Sequence, residues 1–104
     1  MVQKLALLVI VLFSAQVAAE SINLSCTGKK TEGGSVISES EALSVQVDTV
    51  SGEVIVSTGK RFQAAVNPHT VSHEAEGYRF LLSRHSLALE ISDGPTEFVG
   101  SCER

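Results

Sequence analysis

Residues 71–82, VSHEAEGYRFLL, decide the fold class of this chain. Apolar and polar side chains alternate on both sides of Glu76 and Gly77, which we interpret as a two-residue turn. An alternation with period two indicates strands that bury one face, and so short a connection makes the two strands antiparallel neighbours. The segment therefore predicts a β-hairpin.

The same alternation recurs along most of the chain, with turn residues between the runs. The runs cover residues 22–26, 43–47, 54–56, 62–66, 71–75, 78–82, 87–91 and 98–102. They predict an all-β domain, a small antiparallel up-and-down β-barrel of about eight strands, with a two-sheet β-sandwich as the alternative. Closure into a barrel removes exposed sheet edges, and Ala64, Ala75 and Gly100 are small enough for a tight interior.

Two connections have their own expected conformations. Residues 48–53 predict a hairpin turn with Gly52 in the left-handed region. Residues 27–40 are rich in Gly, Ser, Lys and Glu, and we expect them to form the longest loop.

The first 19 residues read as a secretory signal peptide. Lys4 gives a basic start, residues 5–13 are an unbroken apolar run, and Val17, Ala18 and Ala19 are the small residues that precede cleavage. The apolar run is too short to cross a bilayer, which needs about 20 residues. We therefore expect residues 20–104 to form a single exported domain, periplasmic or secreted, without a membrane span.

The two cysteines, Cys26 and Cys102, lie near the ends of that domain. An even pair in an exported chain predicts a disulfide, which here would close a loop of about 77 residues and stabilise the fold by about 4.5 kcal/mol on the chain-entropy model.

Charge and motifs exclude several classes of function. The formal net charge of −4 becomes −5 once Lys4 is removed with the leader, which argues against nucleic-acid binding. The sequence lacks a Gly-x-Ser-x-Gly motif, its acidic residues are scattered, and the bridge would occupy both thiols. Strand spacing keeps His69 and His73 too far apart to share an ion, even with His85 near His69 across a turn. We expect a monomer that is not an enzyme and has no metal or cofactor.

The candidate binding residues are Ser57, Lys60 and Arg61, in the turn at 57–61. They form either a solubilising loop tip or a projecting loop that offers a hydroxyl and cations to an acidic cleft. A second candidate is the set of apolar residues at outward positions, which form a partner surface, a solvated scatter without function, or a surface covered by the 27–40 loop. These residues are Ile55, Ala65, Leu81, Ala88 and Val99.

The string at 57–62, STGKRF, resembles the loop motif of the membrane-bound or periplasmic inhibitors of C-type lysozyme, which are small exported β-barrels with a bridging cysteine pair. That resemblance implies that Ser57, Lys60 and Arg61 contact the catalytic carboxylates of a lysozyme. The ending at 97–102, EFVGSC, resembles small exported bacterial β proteins of unknown function. We expect a non-enzymatic protein-binding module, with lysozyme inhibition as one alternative and a structural or envelope-associated role as another.

Overall fold

The computed structural model describes residues 21–104, which form one nine-stranded antiparallel sheet. The strands are β1 (Ser21–Glu32), β2 (Ser35–Asp48), β3 (Glu53–Val56), β4 (Arg61–Gln63), β5 (Ala65–Val66), β6 (Thr70–Ala75), β7 (Tyr78–Ser83), β8 (Ala88–Asp93) and β9 (Thr96–Glu103). Their order across the sheet is β4-β3-β2-β1-β9-β8-β7-β6-β5. The predicted signal peptide, residues 1–19, lies outside the described residues.

The sheet curls into a nearly closed barrel. Its two edge strands, β4 and β5, follow each other in the chain with only Ala64 between them. One bent segment thus pairs with β3 through its first half and with β6 through its second half. The predicted antiparallel barrel is confirmed and replaces the sandwich alternative. The strand count is one higher than the sequence runs because the run at 62–66 is interrupted at Ala64, whose N–H donates to Gly52 O at 2.8 Å.

The hairpin that decided the fold class has the expected register. His73 lies opposite Phe80 and Ala75 opposite Tyr78, and both turn residues, Glu76 and Gly77, have positive φ angles of 53° and 80°. Ala75 is nevertheless exposed, so its predicted place in the interior is wrong. It is the last residue of β6, where the strand runs into the turn and leaves the packed part of the barrel.

The β2–β3 turn also has the predicted conformation. Gly52 adopts a left-handed φ of 85°. Asp48 Oδ1 accepts hydrogen bonds from the backbone N–H groups of Ser51 at 3.0 Å and Val50 at 2.9 Å. These bonds stabilise the ionised carboxylate and lower the pKa of Asp48 below its usual value.

The expectation of a long loop at residues 27–40 is wrong. β1 continues to Glu32 and β2 begins at Ser35, so the two glycines between them, Gly33 and Gly34, form a tight turn with φ angles of 58° and 87°. Most side chains in this part of β2 are exposed, which removes the apolar alternation from the sequence. Backbone pairing of β1 with β9, as far as Glu32 opposite Thr96, holds the hairpin instead.

The core fills the barrel between the two ends. Cys26 and Cys102 are directly opposite each other on β1 and β9 and form the predicted disulfide, with their Cα atoms 4.0 Å apart. The buried apolar residues are Leu24, Val45, Val47, Val54, Val56, Val71, Tyr78, Phe80, Leu82, Leu89 and Phe98.

Disulfides are typical of oxidising compartments outside the cytoplasm. None of residues 21–104 belongs to a helix that could span a bilayer.

The alternating strand directions give the barrel two different ends. The hairpin end carries the turns at residues 33–34, 57–60, 76–77 and 94–95, and the terminal end carries Ser21, Arg104 and the other turns. At the hairpin end, Gly33 N–H donates to Pro95 O at 3.0 Å and Gly94 N–H donates to Gly77 O at 3.3 Å. These bonds tie three neighbouring turns together.

Candidate functional site

A cavity of about 280 Å³ opens at the hairpin end of the barrel. We call it the mouth cavity. Its lining combines four charged residues, two threonines and an apolar wall with one tyrosine: Lys30, Lys60, Glu41, Asp93, Thr58, Thr96, Leu43, Ile91, Phe98 and Tyr78. A cavity at the terminal end, lined by Ile22, Val47 and Leu82 among others, has a volume of only about 10 Å³. Of these two cavities, only the mouth cavity has room for a ligand.

The rim of the mouth cavity carries an ion pair. Lys60 Nζ lies 3.8 Å from Asp93 Oδ2, and the two side chains are 49% and 53% exposed. The same ammonium lies 4.9 Å from the centroid of the Tyr78 ring, within the range of a cation–π contact. The turn at 57–60 and the end of β8 position these groups, because both lie at the hairpin end.

Tyr78 is the polar group buried in the wall of the mouth cavity. The residue is only 7% exposed, and its hydroxyl makes no hydrogen bond to any described residue. Burial, together with the nearby carboxylate of Asp93, raises the pKa of Tyr78 to about 12. The phenol is therefore a neutral hydroxyl near pH 7, able to donate a hydrogen bond.

The three predicted binding residues point to different places. Lys60 lies at the mouth cavity. Ser57 is bonded to β2, since its N–H donates to Ser44 O and its Oγ accepts from Ser44 N–H, both at 2.9 Å. Arg61 lies beside Glu53, with Nε 3.7 Å from Oε2, and its side chain is 67% exposed. Only Lys60 of the three lines the cavity.

The tip of the β1–β2 hairpin exposes two aliphatic side chains. Val36 is 45% exposed and Ile37 is 53% exposed. β2 pairs with β3 only between Val45 and Val47, apart from the Ser44–Ser57 bonds, so in the described chain the Val36–Ile37 part of β2 has a partner strand on the β1 side alone. Two register shifts interrupt the pairing of β1 with β2, and both lie between Gly28 and Thr31 of β1.

The outward apolar residues do not form one continuous patch. Ala65, Leu81 and Val99 lie on one row across the sheet, but Ser72 separates the first two and Glu90 separates the last two. Ile55 and Ala88 lie outside that row, on β3 and at the start of β8. This row is a mixture of apolar and polar side chains.

The histidines occupy two regions and do not line the mouth cavity, although the ring centroid of His73 lies 6.4 Å from that of Tyr78. His69 and His85 lie near each other at the terminal end, with ring centroids 5.6 Å apart. His73 stacks on Phe62 at 4.5 Å, and its Nδ1 lies 3.0 Å from Gln63 O. In the part of the chain that the structure describes, no group of three or more His, Cys, Asp or Glu side chains is arranged to hold a metal ion.

Of the ten residues that line the mouth cavity, the sequence predicts only Lys60 as a site residue. The charged and phenolic groups that it does not predict are Lys30, Glu41, Asp93 and Tyr78. The inward alternation of Ile22, Leu24 and Cys26 continues to Lys30, which was the available signal. The Gly, Ser, Lys and Glu content of residues 27–40 favours a loop and obscures this signal. Tyr78 begins the apolar run at 78–82, but the sequence contains no sign that its hydroxyl lacks a partner.

No protein-family model matches this chain, and neither a curated protein nor a solved structure matches it significantly.

Proposed function

We propose that this chain is a non-enzymatic protein-binding module that works outside the cytoplasm, in a bacterial periplasm or as a secreted protein, and that it binds through the hairpin end of the barrel. The observation that carries this proposal is the exposure of Val36 and Ile37 on a stretch of β2 that has no second partner strand within residues 21–104. Exposed aliphatic side chains beside free backbone groups favour contact with another protein.

Placement outside the cytoplasm is supported by two features. The Cys26–Cys102 disulfide is stable in an oxidising compartment. Residues 1–19 have the pattern of a secretory signal peptide.

The binding role is supported by the lining of the mouth cavity. The aromatic and charged groups there are suited to binding, because they offer hydrogen bonds, charge and apolar area together.

Paired affinity baits test this proposal. The oxidised chain and two double variants, Val36→Ser with Ile37→Ser and Lys60→Ala with Arg61→Ala, are used to isolate partners from the compartment into which the chain is exported. A fourth bait, Val50→Ser, is the matched control, because Val50 is 61% exposed in the β2–β3 turn at the terminal end.

A partner retained by the wild type and the control, and lost from both hairpin-end variants, is the expected result. Circular dichroism of all four baits checks that the fold survives. A partner captured equally by the hairpin-end variants would contradict binding at this end, and so would loss of the partner from the Val50 variant.

Inhibition of a C-type lysozyme is the second candidate function. The observation that favours it is the position of the 57–60 turn at the hairpin end, where Lys60 and Arg61 are 49% and 67% exposed. Two adjacent exposed cations, one at the end of this turn and one at the start of β4, suit the acidic cleft of a lysozyme, where charge-assisted hydrogen bonds are strong.

This candidate is tested by measuring lysozyme activity with the purified oxidised chain at micromolar concentration, with a g-type lysozyme as the control enzyme. Inhibition of the C-type enzyme alone, abolished by Lys60→Ala with Arg61→Ala, is the expected result. Absence of inhibition at that concentration would end this candidate and leave the broader proposal to the bait experiment.

A further inference from the structure

The hydroxyl of Tyr78 is the strongest sign of a ligand at the mouth cavity. Buried tyrosine hydroxyls usually have a hydrogen-bond partner, because a buried polar group without one is costly. Tyr78 is 7% exposed, lines the cavity, and makes no such bond to any residue of 21–104. A ligand atom that accepts a hydrogen bond would complete this group.

The charges around the cavity are balanced and adjacent. Two cations, Lys30 and Lys60, and two anions, Glu41 and Asp93, line it. Lys60 and Asp93 are 3.8 Å apart and about half exposed, so both are accessible from the solvent. Balanced charges distinguish this cavity from a site for a simple anion or cation.

A ligand with a single charge would leave one of these groups without a partner. An anion at Lys60 would be repelled by Asp93, and a cation at Asp93 would be repelled by Lys60. A ligand that carries both charges on neighbouring atoms avoids this cost, because its ammonium can pair with the carboxylate while its carboxylate pairs with the ammonium.

The size and walls of the cavity limit the rest of the ligand. A volume of about 280 Å³ is at the low end for small-molecule pockets, which begin at about 300 Å³ for drug-sized ligands. Leu43, Ile91 and Phe98 provide an apolar wall. Space of this kind suits an amino acid with an aliphatic side chain.

We propose that the mouth cavity binds a free aliphatic α-amino acid as its zwitterion. The ligand ammonium pairs with Asp93, and its carboxylate pairs with Lys60 and accepts a hydrogen bond from the Tyr78 hydroxyl. Its side chain packs against Leu43, Ile91 and Phe98. This inference goes beyond the proposed function, since it concerns a small molecule and requires no protein partner.

The sequence provides a selective probe for this site. Tyr78 is the only tyrosine and the chain has no tryptophan, so the tyrosine fluorescence of the protein reports on the mouth cavity alone. Aliphatic amino acids do not emit in this range. Titration of the oxidised chain with L-leucine and L-valine therefore measures binding directly.

Three leucine compounds separate the contributions of the two charges. L-leucine carries both, L-leucinamide only the ammonium, and N-acetyl-L-leucine only the carboxylate. We expect a saturable fluorescence change with L-leucine. The dissociation constants of the other two compounds should be at least about tenfold higher, because each of them loses one charge-assisted hydrogen bond. This comparison uses the wild-type chain and so does not depend on any variant folding.

Variants then locate the site. Lys60→Met and Asp93→Asn are each expected to weaken L-leucine binding about tenfold or more, for the same reason. Lys29→Met is the matched control, because Lys29 is exposed on the outer wall opposite Val99. The affinity of the Lys29→Met variant for L-leucine should stay within about twofold of that of the wild type.

Two results would overturn the proposal. One is the absence of a saturable change with both L-leucine and L-valine. The other is equal affinity for L-leucine, its amide and its N-acetyl form, which would assign binding to the apolar wall alone. Either result leaves the bait experiment unaffected, because that experiment measures capture of a protein.

Discussion

The Nδ1 atom of His73 lies 3.0 Å from the carbonyl oxygen of Gln63, across the seam where β4 and β6 lack a backbone ladder. A carbonyl only accepts hydrogen bonds, so His73 donates from Nδ1 and its neutral form is the Nδ1–H tautomer. The bend at Ala64 separates β4 from β6, and this side-chain bond together with the stacking of His73 on Phe62 fills the seam.

Replacing His73 tests the contribution of this bond. His73→Leu removes the Nδ1 donor and leaves the Gln63 carbonyl without this hydrogen bond. We therefore expect the free energy of unfolding to fall by about 1–3 kcal/mol. Denaturant unfolding measures the loss. His85→Leu is the control, because His85 is exposed in the β7–β8 turn. Equal losses for the two variants would show that the seam contact contributes nothing specific.

The disulfide gives a second prediction. The double variant Cys26→Ser with Cys102→Ser removes a cross-link between residues 76 positions apart, without leaving a free thiol. We expect a loss of about 4.5 kcal/mol on the chain-entropy model, and therefore a large fall in melting temperature. The strand content of the folded variant stays the same, because the β1–β9 pairing extends well beyond the cysteines. An unchanged melting temperature in a circular-dichroism melt would contradict the role of the bridge in closing the fold.

The glycine pair beside the disulfide gives a third. Gly28 and Gly100 are opposite each other, and a Cβ atom added to Gly100 would lie 2.6 Å from the Cα atom of Gly28. The nearest atoms are backbone, so β1 and β9 must separate to admit a methyl group. We expect Gly100→Ala to cost about 1–3 kcal/mol, the usual range for overpacking.

Ser101→Ala is the control for that variant, since Ser101 is exposed on the same strand. Thermal unfolding of both variants provides the measurement. A stability of Gly100→Ala equal to that of the control would mean that the two strands are farther apart than described.

The ionisation of Tyr78 gives the fourth prediction. Because it is the only tyrosine, the tyrosinate absorbance of the native chain titrates with its pKa, which we expect at about 12 instead of the usual 10.0. The unfolded chain loses this proton first. The contribution to stability is therefore fully present below pH 10 and is lost as the pH rises from 10 towards 12.

Tyr78→Phe keeps the ring and removes the titrating hydroxyl. The free energy of unfolding of this variant should therefore lack the decrease that Tyr78 ionisation causes in the wild type at alkaline pH. Spectrophotometric titration of the native protein, with unfolding measured at each pH, provides the test. A native tyrosine that ionises near 10.0 would contradict the burial of the hydroxyl.

Most of the fold could be predicted from the sequence because burial on one face gives a strong alternation. Val54 and Val56, or Tyr78 and Phe80, are buried while their chain neighbours are less so, and this pattern fixes both strand and register. The disulfide could be predicted from the even cysteine count together with the signal-peptide pattern of residues 1–19.

The β1–β2 hairpin could not be recognised in the same way. Backbone bonds to β9 and the Gly33–Gly34 turn hold it, while Val36 and Ile37 remain exposed. A strand without a buried face has no alternation to detect. The two glycines were the available signal, as a short turn with positive φ at both positions.

The site was harder to predict than the fold because it depends on which side chains meet at one end of the barrel. Lys60 can be identified from its charge, but its contact with Asp93 joins the turn at 57–60 to the end of β8, which is distant in sequence. The bonding of Ser57 to Ser44 likewise depends on the β2–β3 pairing. Such contacts follow from the curvature of the sheet, which the sequence pattern does not specify.

Binding at the hairpin end is the central claim, and site-specific photo-crosslinking tests it most directly. One chain carries a photoreactive amino acid at Ile37, and a second carries it at Val50, an aliphatic position at the terminal end that is somewhat more exposed. Both are exported in the native host and irradiated. We predict a discrete adduct with a partner protein from Ile37 and none from Val50. An adduct of the same partner from Val50, with none from Ile37, would contradict the claim.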